Sequence, residues 1–446
     1  MVLLLFVSRI TVKGRLPKAC LTMKLIYVTV FIFIVGMDNL LAVSAVCPNG
    51  CSCDDENLHV NCVDANLDIV PITLNPSIQR LILKSNRIRS VDNGLKFYHE
   101  LNFVDLSHNH LVRIQSGSFI SQGKLVELHL NANKISQLSN KTFGGPQSPM
   151  SSLAVLNLQN NLIDTLEPGV FLFADNLAEL DLSQNSIKDV NITAFLGLSN
   201  LRILKLDNNE LTQVPDVFSL RTPIPFSAGN SGSSFGGGSG FGSSDSSKYK
   251  NGLVPHLAEL SLANNQIEKI RNDAFSAAKN LVNLDLRGCQ ISTIEQHAFR
   301  GLTVLRKLVL TDNNLVNVPT SSFPSLIQLE VLKLGRNNYD RIPKYAFGGL
   351  KKLKTLEISG APVLTHIESE AFSINLDLET VELSSCKKLA TLPPKLFKGL
   401  SGLKNLVLKE NQLSSCKTRL NKYLYKSNSH ARMLESACDA EIRVEH

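Results

Sequence analysis

Four of the nine cysteines are concentrated in one short stretch, at Cys47, Cys51, Cys53 and Cys62. Clustered thiols support two kinds of chemistry: they pair as disulfides in an oxidising compartment, or they hold a structural zinc ion. No cluster of histidines accompanies them to complete a zinc site. We therefore favour a disulfide framework for a secreted chain, with zinc as the alternative.

The amino-terminal segment has the features of a secretory signal peptide. A basic residue precedes the apolar run Leu25–Val35, and the segment ends in the small residues Val43-Ser44-Ala45. A basic start, an apolar run of about 7–15 residues and small residues before the cleavage site are typical of such peptides. We predict a signal peptide over residues 1–45, with residues 1–22 as an upstream extension if translation starts at Met23. An uncleaved anchor is the alternative.

The charge balance and the later hydropathy exclude two classes of partner. Lys plus Arg is 46 and Asp plus Glu is 39, a net +7, of which five basic residues against Asp38 place +4 within residues 1–45. The remaining +3 does not indicate a nucleic-acid ligand. No later run reaches the about 20 apolar residues of a membrane span, and the carboxyl end carries no hydrophobic tail for a lipid anchor. We predict a soluble protein of the extracellular space or matrix.

Motifs for catalysis and cofactor binding give no site. Residues 232–236 match G-x-S-x-G, but a nucleophile elbow needs a strand before Ser234 and a helix after it, and Gly/Ser sequence provides neither. The chain has no H-E-x-x-H motif, phosphate loop or triad setting. His108 and His129 could approach across neighbouring strands, but a metal site there is not favoured, since His110 lies beyond the turn and the sequence assigns no carboxylate position beside them. We expect no enzyme activity, no cofactor and no metal.

Most of the chain repeats one phrase. LAELDLSQNSIKDV at residues 177–190 returns as LAELSLANNQIEKI at residues 257–270. The shared frame, L-x-x-L-x-L-x-x-N-x-L, occurs thirteen times, mostly 24 residues apart. Its copies begin at Ile78, Leu101, Leu125, Leu153, Leu177, Leu201, Leu257, Leu281, Leu305, Leu329, Leu353, Leu378 and Leu403. This frame resembles that of the extracellular leucine-rich repeat family over residues 47–413.

The resemblance implies an α/β solenoid, a right-handed leucine-rich repeat horseshoe of about 13 repeats with a concave parallel β-sheet. The frame itself favours this fold, because its alternating leucines face one side of a short strand and must share a core with neighbouring repeats. The asparagine at frame position 9 would bond backbone groups where the chain leaves the strand. Cys289, Cys386 and Ala361 replace it in three repeats. We expect a weaker point at Ala361, and free buried thiols at the two cysteines, which lie four repeats apart.

A phenylalanine recurs late in most repeats. A stack of rings opposite the strands would widen that side and curve the sheet inward. Its members are Phe97, Phe119, Phe143, Phe171, Phe195, Phe218, Phe275, Phe299, Phe323, Phe347, Phe372 and Phe397.

Both ends of a solenoid need caps. The resemblance implies an amino-terminal cap over residues 46–77 with Cys47–Cys53 and Cys51–Cys62 disulfides, followed by repeats over residues 78–413. For the carboxyl-terminal cap, residues 414–446, we predict a Cys416–Cys438 bridge. That cap departs from the family's common form, because the chain has no C-x-C pair there and no Trp at all.

A Gly/Ser-rich segment interrupts the repeats at about residues 221–252. Such sequence buries too little surface to order itself, so we predict a disordered insertion. The alternative is a tethered contact arm that uses spaced aromatic residues.

The variable strand positions predict where a partner binds. Acidic residues dominate the earlier repeats and basic residues the later ones. This pattern favours a binding surface for a protein ligand with a negative part and a positive part. The alternative is an ordinary solvated strand face. The proposed ligand-binding residues are Asp105, Glu127, His129, Glu179, Asp181, Asp285, Arg306, Lys307, Lys333 and Arg336. Glycosylation is predicted at Asn140 and Asn191, which follow inward-facing residues off that face.

These features favour a non-enzymatic extracellular recognition scaffold that binds an extracellular or cell-surface protein in adhesion, guidance or innate sensing. The alternative is a structural matrix or carrier protein, or the non-catalytic partner of a secreted enzyme. Fold resemblance alone names no ligand.

Overall fold

The computed structural model describes residues 46–92, 94–219 and 253–413, and the backbone of residues 441–443. The predicted signal peptide, the Gly/Ser-rich insertion and the Cys416–Cys438 bridge lie outside the described residues. Within them the chain is a β-solenoid of about thirteen coils, numbered here 1–13 from the repeat starts. The predicted leucine-rich repeat solenoid with its parallel sheet is confirmed, whereas the described residues contain no α-helix to match the α part of the predicted α/β class.

The described residues form 24 short strands. In chain order they are β1 (Ser52–Asp54), β2 (His59–Asn61), β3 (Arg80–Ile82), β4 (Phe103–Asp105), β5 (Glu127–His129), β6 (Gly144–Gly145), β7 (Ser148–Pro149), β8 (Val155–Asn157), β9 (Thr165–Leu166), β10 (Glu179–Asp181), β11 (Asp189–Val190), β12 (Ile203–Lys205), β13 (Glu259–Ser261), β14 (Lys269–Ile270), β15 (Asn283–Asp285), β16 (Thr293–Ile294), β17 (Lys307–Val309), β18 (Val331–Lys333), β19 (Arg341–Ile342), β20 (Thr355–Glu357), β21 (His366–Ile367), β22 (Thr380–Glu382), β23 (Asn405–Val407) and β24 (Glu441–Arg443).

Sixteen of these strands form one sheet, in the order β1-β2-β3-β4-β5-β8-β10-β12-β13-β15-β17-β18-β20-β22-β23-β24. Every pairing from β2 to β23 is parallel, and the two outermost pairings are antiparallel. Each coil therefore contributes one strand to the sheet. The return segments are turns and short strand pairs, with 3-10 helices at Asp216–Phe218 and Thr320–Ser325 and no α-helix among the described residues.

The core consists of the frame leucines, as the alternation predicts. In coil 5, Leu177, Leu180, Leu182 and Ile187 have no exposed surface. Because the strands pair in register, Leu180 lies beside the equivalent leucines of the coils on either side. One continuous apolar column thus runs through all coils, and no coil could bury its leucines alone.

The frame asparagines form the expected internal ladder. In coil 5, Asn185 donates through Nδ2 to the carbonyls of Leu158 and Leu182, both at 3.0 Å, and its Oδ1 accepts from the Ile163 amide at 3.1 Å. The residue before this position has a positive φ, from 51° at Arg336 to 73° at Gly360. That left-handed turn directs the amide inward, so the ladder joins each coil to its neighbour.

The phenylalanine stack explains the curvature. Six neighbouring ring pairs between Phe143 and Phe397 have centroids 5.8–6.3 Å apart, whereas paired strands lie about 4.8 Å apart. The ring side is therefore longer per coil, and the sheet becomes the concave side. Phe97 does not belong to this stack: it is 54% exposed, while Leu95 is buried.

At Ala361, which has no side-chain amide, a neighbouring side chain supplies one of the hydrogen bonds that an asparagine would make. The Leu334 carbonyl, which an asparagine at 361 would have bonded, instead accepts the hydroxyl of Tyr339 at 2.8 Å. Tyr339 is fully buried, and burial raises the pKa of its hydroxyl well above the usual value. A tyrosine within coil 10 thus replaces one of the missing contacts from coil 11, and the weaker point expected at Ala361 stays a prediction.

The ends of the sheet are capped differently. At the amino end, Cys47–Cys53 and Cys51–Cys62 are disulfides, which confirms the implied pairing, and β1 lies antiparallel against β2. At the carboxyl end, β24 pairs antiparallel with β23. The described residues contain no helix that is long and apolar enough to cross a membrane.

Candidate functional site: the strand face

The strand face is the solvent-facing side of the concave sheet. Its central row consists of frame position 5, where pairing in register aligns one residue from each coil. From coil 2 to coil 13 this row reads Asp105, His129, Asn157, Asp181, Lys205, Ser261, Asp285, Val309, Lys333, Glu357, Glu382 and Val407. Five of the ten predicted binding residues belong to this row, and three more, Glu127, Glu179 and Lys307, occupy position 3 beside it.

The acidic centre of the face begins at coils 5 and 6. The Lys205 Nζ lies 3.1 Å from Glu179 Oε1 and 3.4 Å from Asp181 Oδ2. Burial alone would lower the pKa of Lys205, but the hydrogen bond to Glu179 and the charge of Asp181 raise it overall. Lys205 therefore stays charged and offsets part of the predicted acidity.

Coils 6 to 8 complete that centre. The Asp207 carboxylate accepts hydrogen bonds from the Ser261 hydroxyl and, at 3.1 Å, from the Ala263 amide. Burial raises the pKa of Asp207, and the charges of Asp285 and Asp181 add to the increase. Asp285 pairs with Arg287 at 3.1 Å. The ten predicted binding residues include Asp285 but not Asp207, which follows its strand at frame position 7.

The basic part of the face is less positive than its sequence suggests. At frame position 2, Arg306, Glu330, Lys354, Glu379 and Lys404 alternate in sign over five consecutive coils. Glu330 lies 3.4 Å from Arg306 and 3.0 Å from Lys354, and Lys404 lies 2.8 Å from Glu379. We call this row the charge ladder. Arg306 precedes its strand and belongs to the ladder.

The other predicted basic residues also differ in their surroundings. Lys333 lies 3.6 Å from Glu357, whose carboxyl pKa is raised by burial against the opposing effect of Lys333. Arg336 lies in the turn after the strand, with φ 51°, and contacts Asp312 at 3.5 Å. Among the described residues only Lys307, of the predicted basic four, has no ion pair. The expected contrast between acidic and basic halves is therefore reduced by intramolecular pairing.

Coils 1 to 3 contain a cation–π and ring contact that was not predicted from the sequence. The Arg80 guanidinium lies 3.4 Å from the Phe103 ring centroid, and the His129 ring lies 5.3 Å from it. Glu127 is 3.5 Å from His129. Phe103 occupies frame position 3, so its outward direction was readable from the repeat. His108 lies in the turn with φ 54°, and no group of three potential metal ligands occurs in the described residues.

The remaining predicted sites lie off the strand face. Asn140 and Asn191 are both exposed, and Asn191 Oδ1 accepts bonds from the amide and hydroxyl of Thr193 at 2.9 Å. Cys289 and Cys386 are free thiols in the core. Burial raises the pKa of Cys289 to about 12, so its reactive thiolate is scarce.

Comparison with known proteins agrees with this architecture. The leucine-rich repeat family model matches residues 124–185, 175–220, 255–315 and 303–363. Leucine-rich repeat-containing protein 3B of Homo sapiens is 33% identical over 103 residues, which cover 22% of this chain and 40% of that protein. Reticulon-4 receptor-like 2 of Rattus norvegicus is 38% identical over 104 residues, 23% of this chain and 24% of that protein. Oligodendrocyte-myelin glycoprotein of Homo sapiens is 27% identical over 169 residues, 30% and 38% of the two chains. Each match spans less than half of the relative.

Two solved structures share the fold. TLR13 in its complex with ssRNA13 superposes with a TM-score of 0.61 at 24% identity, over 78% of this chain and 45% of that chain. An internalin of Listeria monocytogenes superposes with a TM-score of 0.53 at 16% identity, over 75% and 82% of the two chains. These identities support the architecture alone. With the repeat match, the thirteen coils and the two cap disulfides together, this chain is a leucine-rich repeat protein with a cysteine-rich amino-terminal cap.

Proposed function

We propose that this protein is a non-enzymatic recognition scaffold that acts outside the cell and binds a protein ligand on its strand face. The observation that carries the proposal is the strand face itself, whose side chains at frame positions 3 and 5 vary from coil to coil while the leucines between them build the core. A surface that the fold does not require is available for recognition. The cap disulfides fit an oxidising compartment.

The electrostatics favour the acidic centre as the first point of contact. The strand face of coils 5 to 8 carries five carboxylates and three cations, so its formal net charge is 3 − 5 = −2. The carboxylates are Glu179, Asp181, Asp207, Glu259 and Asp285, and the cations are Arg202, Lys205 and Arg287. A basic protein surface complements this centre, and its charge would steer association more than it would hold the complex. Because the charge ladder is internally paired, it contributes little to that steering.

The proposal includes the predicted signal peptide and the predicted glycosylation sites. A signal peptide over residues 1–45 would deliver a chain that begins at the cap, and glycans on Asn140 and Asn191 would leave the strand face open. A matrix or carrier role, or partnership with a secreted enzyme, is the second candidate. Such a protein would bind through its flanks or caps, so blocking the strand face distinguishes the two.

One substitution places a glycan on the strand face. Asp285→Thr converts Asn283-Leu284-Asp285 into a glycosylation sequon in the acidic centre. Val316→Thr does the same at Asn314, on the exposed turn of the adjoining coil, and serves as the matched control. Both variants should be secreted with a mobility shift that a glycosidase removes, which also tests passage through the secretory pathway.

The wild-type chain is first screened against a library of extracellular and cell-surface proteins. We expect a partner whose binding is abolished by the Asp285→Thr glycan and unchanged by the Val316→Thr glycan. Binding that ignores the Asp285→Thr glycan would refute the strand face as the site. Retention of both variants inside the cell without glycans would refute the extracellular placement.

A further inference from the structure

A second surface, separate from the strand face, carries a concentrated positive charge. It is the edge where coils 1, 2 and 3 turn away from their strands, formed by Lys84, Arg87, Arg89, His110, Arg113 and Lys134, and we call it the basic turn edge. The three segments that build it, residues 84–91, 107–114 and 131–138, contain no Asp and no Glu. Five lysines and arginines therefore project from one edge without an acidic residue among them.

Backbone register aligns two of these cations, Arg87 and Lys134, with His110 between them. The amide of Arg87 donates to Leu67 O at 2.8 Å, that of His110 to Ile88 O at 2.9 Å, and that of Lys134 to Leu111 O at 2.8 Å. The same bond thus recurs from cap to coil 3, which puts Arg87, His110 and Lys134 at one position in consecutive coils. With about 5 Å between coils, the row is about 10 Å long.

The fold does not use this charge. All six side chains are exposed, and none forms an ion pair with any part of the chain that the structure describes. In the adjoining coils, Asp64 and Asp68 lie in the cap and Asp164 lies in coil 4, and the Asp64 amide donates to Lys84 O at 3.2 Å. On the strand face, in contrast, Lys205, Lys333 and Lys354 each lie within 4 Å of a carboxylate.

We infer that the basic turn edge binds a sulfated polysaccharide. Charge complementarity requires a linear polyanion, because the cations form a row and not a pocket. The three segments contain no Phe, Tyr or Trp, so they lack both the stacking platform of a single-strand nucleic-acid site and the aromatic anchor of a protein hot spot. The choice of sulfate over phosphate rests on the extracellular placement proposed above.

The test uses the full secreted chain on immobilised heparin. Arg87→Gln/Arg89→Gln/Lys134→Gln removes three charges from the basic turn edge. Lys351→Gln/Lys352→Gln/Lys398→Gln removes the same charge from exposed positions in coils 10 to 12. Each lost contact removes released counterions from the binding equilibrium, so we expect the first variant to bind at least tenfold more weakly at about 0.15 M salt and to show a shallower salt dependence. The second variant should bind like the wild type.

Several outcomes would overturn the inference. They are equal losses in the two variants, undiminished binding to desulfated heparin, or equally tight binding to single-stranded DNA of the same length. Thermal melting of each variant confirms that the fold is intact, since all the substituted side chains are exposed. Heparin binding should survive the Asp285→Thr glycan, so failure here and failure of the strand-face proposal are separable.

Discussion

The contact between Tyr339 and Leu334 gives the sharpest test of how the repeats are joined. At every coil where an asparagine occupies frame position 9, its amide bonds the Leu carbonyl of its own coil and a carbonyl of the preceding coil or, at Asn86, of the cap, as Asn185 does with Leu182 and Leu158. At Ala361 the second bond is supplied by Tyr339. Tyr339→Phe removes only this hydroxyl and leaves the packing of the ring unchanged.

The expected loss of stability depends on the hydrogen bonds that the Leu334 carbonyl keeps in the variant. Leu334 O also accepts a bond from Asn337 Nδ2 at 2.9 Å, so it is not left without a partner. The loss is therefore that of one neutral hydrogen bond, about 1 kcal/mol, and not the about 1–3 kcal/mol of an orphaned buried group. Tyr345→Phe is the control, because Tyr345 is 44% exposed and bonds the exposed Glu370; we expect no measurable change.

Substitutions at Ala361 measure the energetic coupling between positions 339 and 361. Ala361→Asn alone should destabilise by about 1–3 kcal/mol, because the new amide enters space that the Tyr339 hydroxyl occupies. Tyr339→Ile/Ala361→Asn restores the isoleucine–asparagine pair that coil 5 and coil 6 use at Ile187 and Asn209. We expect the double variant to be at least as stable as the wild type, with a coupling energy above about 1 kcal/mol.

Urea unfolding followed by circular dichroism measures these four variants and the Tyr339→Ile single variant, which completes the double-mutant cycle. Urea midpoints are compared only between variants with the same m-value. This condition is needed because a repeat array can unfold in parts, which would change the m-value. Additive effects in the double variant, or an Ala361→Asn protein as stable as the wild type, would refute the view that the two side chains serve one carbonyl.

Three further predictions concern charge, thiols and the insertion. Hydrogen bonding to Lys354 lowers the pKa of Glu330, so its contribution to stability is present above the unfolded value of about 4.3 and is lost as pH falls through the folded value. The difference between wild type and Glu330→Gln in urea should therefore exist at pH 6, close as pH falls below about 4, and shrink in 1 M salt; a gap that widens in acid would contradict it. Cys289 and Cys386 should resist a thiol-alkylating reagent in the native protein and react fully in urea without reductant, and a disulfide peptide joining them would overturn the coil register. Deleting residues 221–252 should leave the melting temperature nearly unchanged, because a long surface insertion adds little loop-closure entropy, whereas loss of cooperative melting would show that the segment supports the core.

The periodic part of the fold could be predicted from the amino-acid order. The leucine frame places one strand in each coil, the asparagines predict the inner ladder, and the family resemblance supplies the cap disulfides that the structure contains. These features recur at a fixed spacing, so each copy strengthens the prediction from the others. The charges along the strand face could also be predicted, because the side chains at positions 3 and 5 of any coil must point away from the leucine core.

The side-chain contacts between coils could not be predicted from the sequence. Arg306 was interpreted as free to meet a ligand, yet it pairs with Glu330, 24 residues away. Ala361 was interpreted as a weak point from its lack of an amide, and the bond from Tyr339 to one of the two carbonyls that an asparagine would have reached was not foreseen. The repeat frame states which face a side chain occupies, whereas partner choice depends on distances of 3–4 Å between side chains on different coils. Those distances exist only once the coils are stacked, so the tertiary structure decides which charges remain available for recognition.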